Sequence, residues 1–162
     1  MDTSDGIRQP DLPGDVPAVI DSFRHKFGFL SNFFESSFWI DGERWRSVEH
    51  AYQAAKTDDP ELKARIRDAR TSSVAKRLGQ SCKLPCDWDT RKVEVMRVLL
   101  RKKFENPLLR EMLIATEGAR LVEANTWGDV FWGIYKGRGQ NWLGRLLEEV
   151  REECKAERTS DV

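Results

Sequence analysis

The chain has 162 residues, about the length of one domain, and its 27 Lys+Arg and 27 Asp+Glu residues give a formal net charge of zero. A chain without net charge has no long-range field that gathers polyanions, which excludes a protein that coats nucleic acid by charge alone. No window approaches the ~20 apolar residues of a membrane span, and the acidic first residues do not resemble a secretory signal. The three cysteines are an odd number, so we expect reduced thiols in a cytoplasmic protein.

The composition divides the chain into three parts. Residues 1–20 alternate prolines and glycines with aspartates, which predicts a flexible N-terminal arm. Residues 157–162 are polar and are predicted to form a frayed C-terminus. Residues 21–156 contain no linker and no internal repeat, so we expect one domain there.

The predicted elements begin with β-structure and continue mainly with helices. The apolar run 27–30 predicts a short strand, and Asp41-Gly42 between the aromatic runs of 38–45 predicts a type I′ hairpin. Capping residues and apolar spacing predict helices from Ser47 through Lys56, from Asp59-Pro60, from Ser72 or Ser73 to Gly79, from Asp89 to Phe104, from Asn106-Pro107 to Gly118, and from Asn141 to Cys154. Short strands are predicted at 121–123 and 130–132, so the fold class is α+β: a mainly helical single domain with a small sheet.

The helix after Ser47 has a polar face. At ~100° per residue, four residues share this face, namely Glu49, Tyr52, Gln53 and Lys56. A mixture of acid, amide, amine and phenol suits the wall of a pocket, and the alternative is a solvated face with one tyrosine. The helix dipole keeps a carboxylate in the first turn ionised, so Glu49 is either a base or a helix-stabilising residue.

The segments 125–133 and 137–144 are rich in glycine and tryptophan. Such glycines allow a ligand to approach the backbone, although neither segment matches a Walker A loop or a dinucleotide fingerprint. The alternative is a turn-rich connector with buried tryptophans.

Lys76-Arg77 is either a phosphate contact or a charged helix face. The cysteine and histidine spacing does not suit zinc, so we expect neither metal nor cofactor.

These segments together resemble the NADAR family, the YbiA-like N-glycosidases, over about residues 22–151. The residues that carry the resemblance are Phe29-Leu30-Ser31-Asn32-Phe33, Trp45, Ser47, Glu49-His50, Tyr52-Gln53-Ala54, Lys56, Ala75-Lys76-Arg77-Leu78-Gly79, Trp88-Asp89, Lys92, Met96, Lys103-Phe104, Asn125, Trp127-Gly128-Asp129, Trp132-Gly133, Gly137, Gly139, Asn141 and Leu143-Gly144. The order and spacing of these blocks are specific, although no single block is decisive.

The resemblance implies hydrolysis of the bond between ribose C1 and an exocyclic amine of a planar heterocycle. The implied substrates are phosphoribosylamino-pyrimidine intermediates of riboflavin synthesis, or ADP-ribose on guanine, including guanine in nucleic acid. We expect no membrane association and no obligate protein partner. Departure of the amine leaves an oxocarbenium-like ribose, so the site needs an anion, a base and a proton source.

Three residues are expected to be catalytic: Glu49, Lys56 and Asp129. Expected substrate-binding residues are Ser31, Asn32, Phe33, Trp45, Tyr52, Gln53, Arg77, Trp127, Trp132, Gly133 and Asn141. Lys56 either binds phosphate or forms a Schiff base with the opened sugar, and the sequence does not separate these routes. The alternative function is a non-catalytic module that binds ADP-ribose or another nucleotide, but two carboxylates serve an anionic ligand poorly unless a cation forms during reaction.

Overall fold

The computed structural model of the chain describes residues 15–160, which form six α-helices, one 3-10 helix and six short strands. The α-helices are α1 (Val48–Ala54), α2 (Pro60–Arg67), α3 (Ser72–Gln80), α4 (Trp88–Lys103), α5 (Pro107–Ile114) and α6 (Trp142–Ser160), and the 3-10 helix spans His25–Leu30. The strands are β1 (Val19–Ile20), β2 (Phe38–Ile40), β3 (Glu43–Trp45), β4 (Arg120–Leu121), β5 (Ala124–Asn125) and β6 (Ile134–Tyr135). The predicted class, a mainly helical α+β domain, is confirmed.

The strands pair two by two. β1 pairs with β4 and β5 with β6, both in parallel, while β2 and β3 form an antiparallel hairpin. The helix α1 lies at the centre, where it packs against α2, α3 and α4, and all of its residues are buried. Its polar residues therefore lie inside the domain. Within residues 15–160, no helix is both long enough and apolar enough to span a bilayer.

Local sequence signals explain the hairpin and most helix starts. Asp41 and Gly42 have φ angles of 50° and 78°, as the predicted type I′ turn requires. The Ser47 side chain accepts a hydrogen bond from the backbone N–H of His50 and caps α1. The side chain of Asn106 caps α5 in the same way.

Four predicted local features are wrong. Residues 27–30 belong to the 3-10 helix, because their apolar side chains enter the core without a strand partner. Residues 130–132 form no strand, because Asp129 Oδ1 accepts the backbone N–H groups of Phe131 and Trp132 in a tight turn. The helix α3 is capped by Thr71, ahead of the predicted start, and includes Gly79, which does not stop it.

The structure describes part of each terminal segment. The predicted arm covers residues 1–20, of which 1–14 lie outside the described residues, while Val19 and Ile20 pair with β4. Residues 157–160 of the predicted frayed end continue α6. An ion pair between Glu157 and Arg110 holds this last turn against α5.

Candidate active site

A cavity of about 1000 Å³ opens beside the buried helix α1, at the upper end of the usual range for small-molecule sites. One side of it, which we call the helical wall, consists of α1, Lys56 and α3. A second side, the loop wall, consists of residues within 123–132. Residues 21–24 and 31–33 complete the lining with Met96 and Leu143.

Glu49 and Gln53 place a carboxyl and an amide in the helical wall. Gln53 Nε2 donates a hydrogen bond of 2.7 Å to Glu49 Oε1, one helical turn away. Burial raises the pKa of Glu49 above its ordinary value, while the Gln53 hydrogen bond and the positive charges of Lys76 and Lys56 act to lower it. This carboxyl is therefore a stronger base than an exposed glutamate.

Lys56 follows α1 and is half-buried in the cavity wall. Its Nζ lies 5.0 Å from the centre of the Tyr52 ring. Burial lowers the pKa of Lys56, against the opposing charge of Glu49. Within residues 15–160, no carboxylate lies close enough to form an ion pair with Lys56. A desolvated amine of this kind has a larger neutral, nucleophilic fraction than an exposed lysine.

The segment 31–33 is tied to the core by buried polar groups. Lys103 is 1% exposed, and its Nζ donates a hydrogen bond of 2.8 Å to the backbone carbonyl of Ser31. Burial lowers the pKa of Lys103 to about 7. The backbone carbonyl of Asn32 accepts the N–H of Glu49, which fixes this segment to the first turn of α1. Asn32 Oδ1 is buried and has no protein partner among the described residues, so a ligand donor is free to bind it.

Lys76 joins the two walls at the mouth of the cavity. Its Nζ lies 5.6 Å from the ring centre of Phe33 and 5.4 Å from that of Trp127. These aromatic side chains are 40% and 58% exposed. Exposed rings beside a cation suit a planar, negatively charged ligand such as a nucleotide. The neighbouring Arg77 also lines the cavity, so Lys76-Arg77 is not simply a solvated helix face.

The loop wall is held by its own polar side chains. Asn125 accepts the backbone N–H of Asp129 and donates to the carbonyl groups of Asp129 and Ile134. Asp129 Oδ1 accepts the amides of Phe131 and Trp132 at 3.0 and 2.8 Å. One oxygen of Asp129 therefore supports the loop, and only the other is free of these bonds.

Ten of the fourteen predicted site residues line this cavity: Ser31, Asn32, Phe33, Glu49, Gln53, Lys56, Arg77, Trp127, Asp129 and Trp132. They come from four separate segments of the chain. Their roles as catalytic or binding residues stay predictions. Within residues 15–160, no group of three or more His, Cys, Asp or Glu side chains is arranged to hold a metal ion.

The other four predicted residues, Trp45, Tyr52, Gly133 and Asn141, do not line it. Trp45 is buried in the hairpin opposite Phe38. Tyr52 is also buried, with its ring 5.6 Å from that of Trp132, so it supports a cavity residue from behind. Gly133 and Asn141 lie behind the loop wall and contact the backbone of Glu123.

Two cavity residues, Glu123 and Lys76, are not among the predicted site residues. Glu123 lines the cavity between β4 and β5, where the sequence predicts only a short strand. A glutamate at the end of an apolar run such as 121–122 was the one available signal. Arg24 also lines the cavity, and no motif singles it out.

The fold and the cavity define a single-domain protein whose pocket combines buried titratable groups with aromatic side chains, as enzyme sites do. The family model of the NADAR domain matches residues 21–155. The chain therefore belongs to the NADAR domain family, as its sequence motifs suggested.

Characterised relatives and one solved structure agree with this assignment. The chain is 40% identical to N-glycosidase YbiA of Escherichia coli over 136 residues, which covers 82% of this chain and 84% of that protein. It is 42% identical over 130 residues to a riboflavin biosynthesis protein of Vibrio vulnificus, covering 78% of this chain and 35% of that longer protein. The NMR structure of E. coli YbiA superposes with a TM-score of 0.80 at 37% identity, covering 93% of each chain.

Proposed function

We propose that the chain is a hydrolase of N-glycosyl compounds that cleaves the bond between ribose C1 and an exocyclic amine of a planar heterocycle. The observation that carries this proposal is the presence of the buried Glu49 carboxyl and the half-buried Lys56 amine in one cavity. The names of the relatives, an N-glycosidase and a riboflavin biosynthesis protein, support the same reaction class.

Each part of the reaction has a candidate group in the cavity. Ribose C1 becomes electron-poor as the amine departs, and the carboxylate of Glu49 stabilises that charge or accepts a proton from water. Phe33, Trp127 and Trp132 offer faces on which the heterocycle stacks. Lys76 and Arg77 supply positive charge for a phosphate or diphosphate group.

The lowered pKa of Lys56 favours a covalent route over a role in phosphate binding alone. A glycosylamine opens readily to an imine, and the neutral amine of Lys56 adds to that carbon, releases the heterocyclic amine and forms a Schiff base. Water then adds to the Schiff base, and its hydrolysis frees the sugar and the lysine. Direct attack of water on C1 needs no such amine, so variants of Lys56 distinguish the two routes.

Two substrate classes fit this chemistry: a phosphoribosylamino-pyrimidine and an ADP-ribosyl group on guanine. Both join ribose C1 to an exocyclic amine, and a cavity of about 1000 Å³ has room for either. The purified protein is incubated with each compound, and the free heterocycle and the ribosyl product are measured by chromatography and mass spectrometry. Product from at least one substrate supports the proposal.

A matched control excludes a contaminating glycosidase. The variant Glu49→Gln, purified in the same way, is expected to release far less product than the wild type because it lacks the anion and base. Absence of product from both substrates with the wild-type protein contradicts the proposed function.

A further inference from the structure

The cavity contains a third carboxyl group, that of Glu123, for which the mechanism above has no use. Glu123 lies in the loop wall and lines the cavity together with Glu49 and Asp129. Within residues 15–160, its carboxyl receives no side-chain hydrogen bond and forms no ion pair. A largely buried carboxyl group without such partners favours its neutral, proton-bearing form.

The fold holds Glu123 from behind. Its backbone N–H donates to Asn141 Oδ1 at 3.0 Å, and its carbonyl accepts the N–H of Ile134 at 2.8 Å. Gly133 packs directly against it, since a Cβ added there would lie 2.1 Å from the carbonyl oxygen of Glu123 and 3.1 Å from its Cγ. Thus Asn141 and Gly133 help to position this glutamate, and their role in substrate binding stays a prediction.

The charges around Glu123 come from several elements. Burial, and after it the charge of Asp129, raise the pKa of Glu123 to about 7, and the charge of Glu49 adds to this. Lys76 on α3 and Arg24 ahead of the 3-10 helix act to lower this pKa. Near neutral pH the carboxyl group is therefore divided between its acid and its anion, which suits a group that gives and regains a proton.

We propose that Glu123 is the general acid of this site and protonates the exocyclic nitrogen as it leaves ribose C1. The inference rests on the proposed function. As the C1–N bond breaks, its electron pair stays on nitrogen, which takes the carboxyl proton of Glu123. In direct hydrolysis, the hydroxyl of water goes to C1 and the remaining proton of water goes to Glu49. In the covalent route Lys56 forms the bond to C1 first, and the departing nitrogen takes the same proton. Exchange with solvent returns both glutamates to their starting forms.

The test compares the pH dependence of Glu123→Gln with that of the wild type. The wild-type kcat should fall as the pH rises through about 7, because Glu123 loses the proton it must donate. Glu123→Gln should lower kcat by roughly 10²–10⁴-fold and abolish this alkaline decline, with little change in KM. Glu123→Asp keeps an acid whose shorter side chain lies in a different environment, so it should keep an alkaline decline but at a pH different from that of the wild type. Glu105→Gln, an exposed glutamate outside the cavity, should retain the wild-type profile.

A second measurement separates proton donation from a structural role. Two substrates are used that share the ribose phosphate but differ in the basicity of the leaving heterocyclic amine. Glu123→Gln should lose more rate on the more basic amine, which depends more on protonation, whereas a structural defect lowers both rates equally.

Three results are decisive. A Glu123→Gln enzyme with wild-type kcat, or with an unchanged alkaline decline, contradicts the role of Glu123. If Glu123→Gln does not fold, Glu123→Asp takes its place in the test. An alkaline decline of Glu123→Asp at the same pH as in the wild type, together with an equal loss of rate on both substrates, also contradicts the role of Glu123. A wild-type protein that releases no product contradicts the proposed function instead.

Discussion

The two walls of the cavity use their polar side chains differently. In the helical wall, the backbone of α1 bonds within its own helix, to the Ser47 cap and to the carbonyl of Asn32. The side chains of Glu49 and Gln53 therefore bond to each other and face the cavity. In the loop wall, Asn125 and Asp129 bond to backbone groups that have no regular partner.

This contrast predicts that substitutions in the two walls affect activity and stability differently. Substitutions of the cavity-facing polar side chains of the helical wall, such as Glu49 and Gln53, should change the reaction with little change in stability, because these side chains bond to each other and not to the backbone. Substitutions in the loop wall should alter the fold of residues 123–132 as well. Glu123 is the exception, since its backbone is fixed by Asn141 while its carboxyl group has no side-chain partner among residues 15–160.

The largest effect is expected at Lys56. In the covalent route, Lys56→Arg and Lys56→Ala should both abolish turnover, because a guanidinium does not form the Schiff base. Borohydride should then trap a ribosyl adduct on the wild-type chain, detected by intact mass. If Lys56→Arg keeps much of the rate and nothing is trapped, Lys56 binds phosphate only. An active Lys56→Ala enzyme excludes both roles.

The next largest effect is expected for Glu49→Gln. The substitution removes the anion and base but keeps the size of the side chain, so kcat should fall by roughly 10²–10⁴-fold. Substrate binding, measured by calorimetry, should persist. Wild-type turnover in this variant would remove Glu49 from the mechanism. If the wild-type protein has no measurable turnover, and Glu49→Gln binds substrate as tightly as the wild type or more tightly, the chain is a binding module.

Substitutions of Asp129 test directly whether the fold of the loop wall depends on its polar side chains. Asp129→Asn keeps an Oδ1 that accepts the amides of Phe131 and Trp132, so it should stay as stable as the wild type. Asp129→Ala leaves both amides without this acceptor and should lose about 1–3 kcal/mol of unfolding free energy, measured with denaturant. Equal stability of the two variants would show that the turn does not depend on this side chain. A loss of turnover in Asp129→Asn alone would assign its charge to the reaction.

Gly79→Ala probes the close contact between α1 and α3. A Cβ at this position would lie 2.1 Å from Gln53 Oε1 and 2.8 Å from Gln53 Cβ, so Gln53 must move and its hydrogen bond to Glu49 weakens. We expect kcat to fall by about fivefold, the size of one weakened hydrogen bond of ~1 kcal/mol. Gly28→Ala is the control, because an added Cβ there meets no atom within 4 Å. Equal kcat in both variants would show that the position of Gln53 does not matter.

The smallest effect on the reaction is expected for the removal of β1, which pairs with β4 next to the loop wall. A truncation that begins at Asp21 removes β1 and the buried Ile20 side chain, and with them the pairing to β4. It should lose about 2–5 kcal/mol of stability relative to a truncation that begins at Asp15, as for other buried aliphatic residues. Activity at low temperature should change little. Equal melting temperatures for both truncations would show that β1 does not stabilise the domain.

Helix starts and the hairpin were predictable because each depends on neighbouring residues. The cap of Ser47, the Asn106-Pro107 start and the Asp41-Gly42 turn act within a few positions. The apolar runs 27–30 and 130–132 were assigned wrongly as strands. A short apolar run does not reveal whether a partner strand is present.

The amino-acid sequence alone determined that Glu49, Gln53 and Lys56 lie near one another on one face, since helical spacing is enough to align them. Only the tertiary structure decided that Tyr52, on the same predicted face, packs behind Trp132 and away from the cavity. It also decided that Glu123 enters the cavity while Asn141 holds its backbone from 18 positions away. Contacts between distant segments select which of several neighbouring polar groups faces a ligand, and no local pattern contains that information.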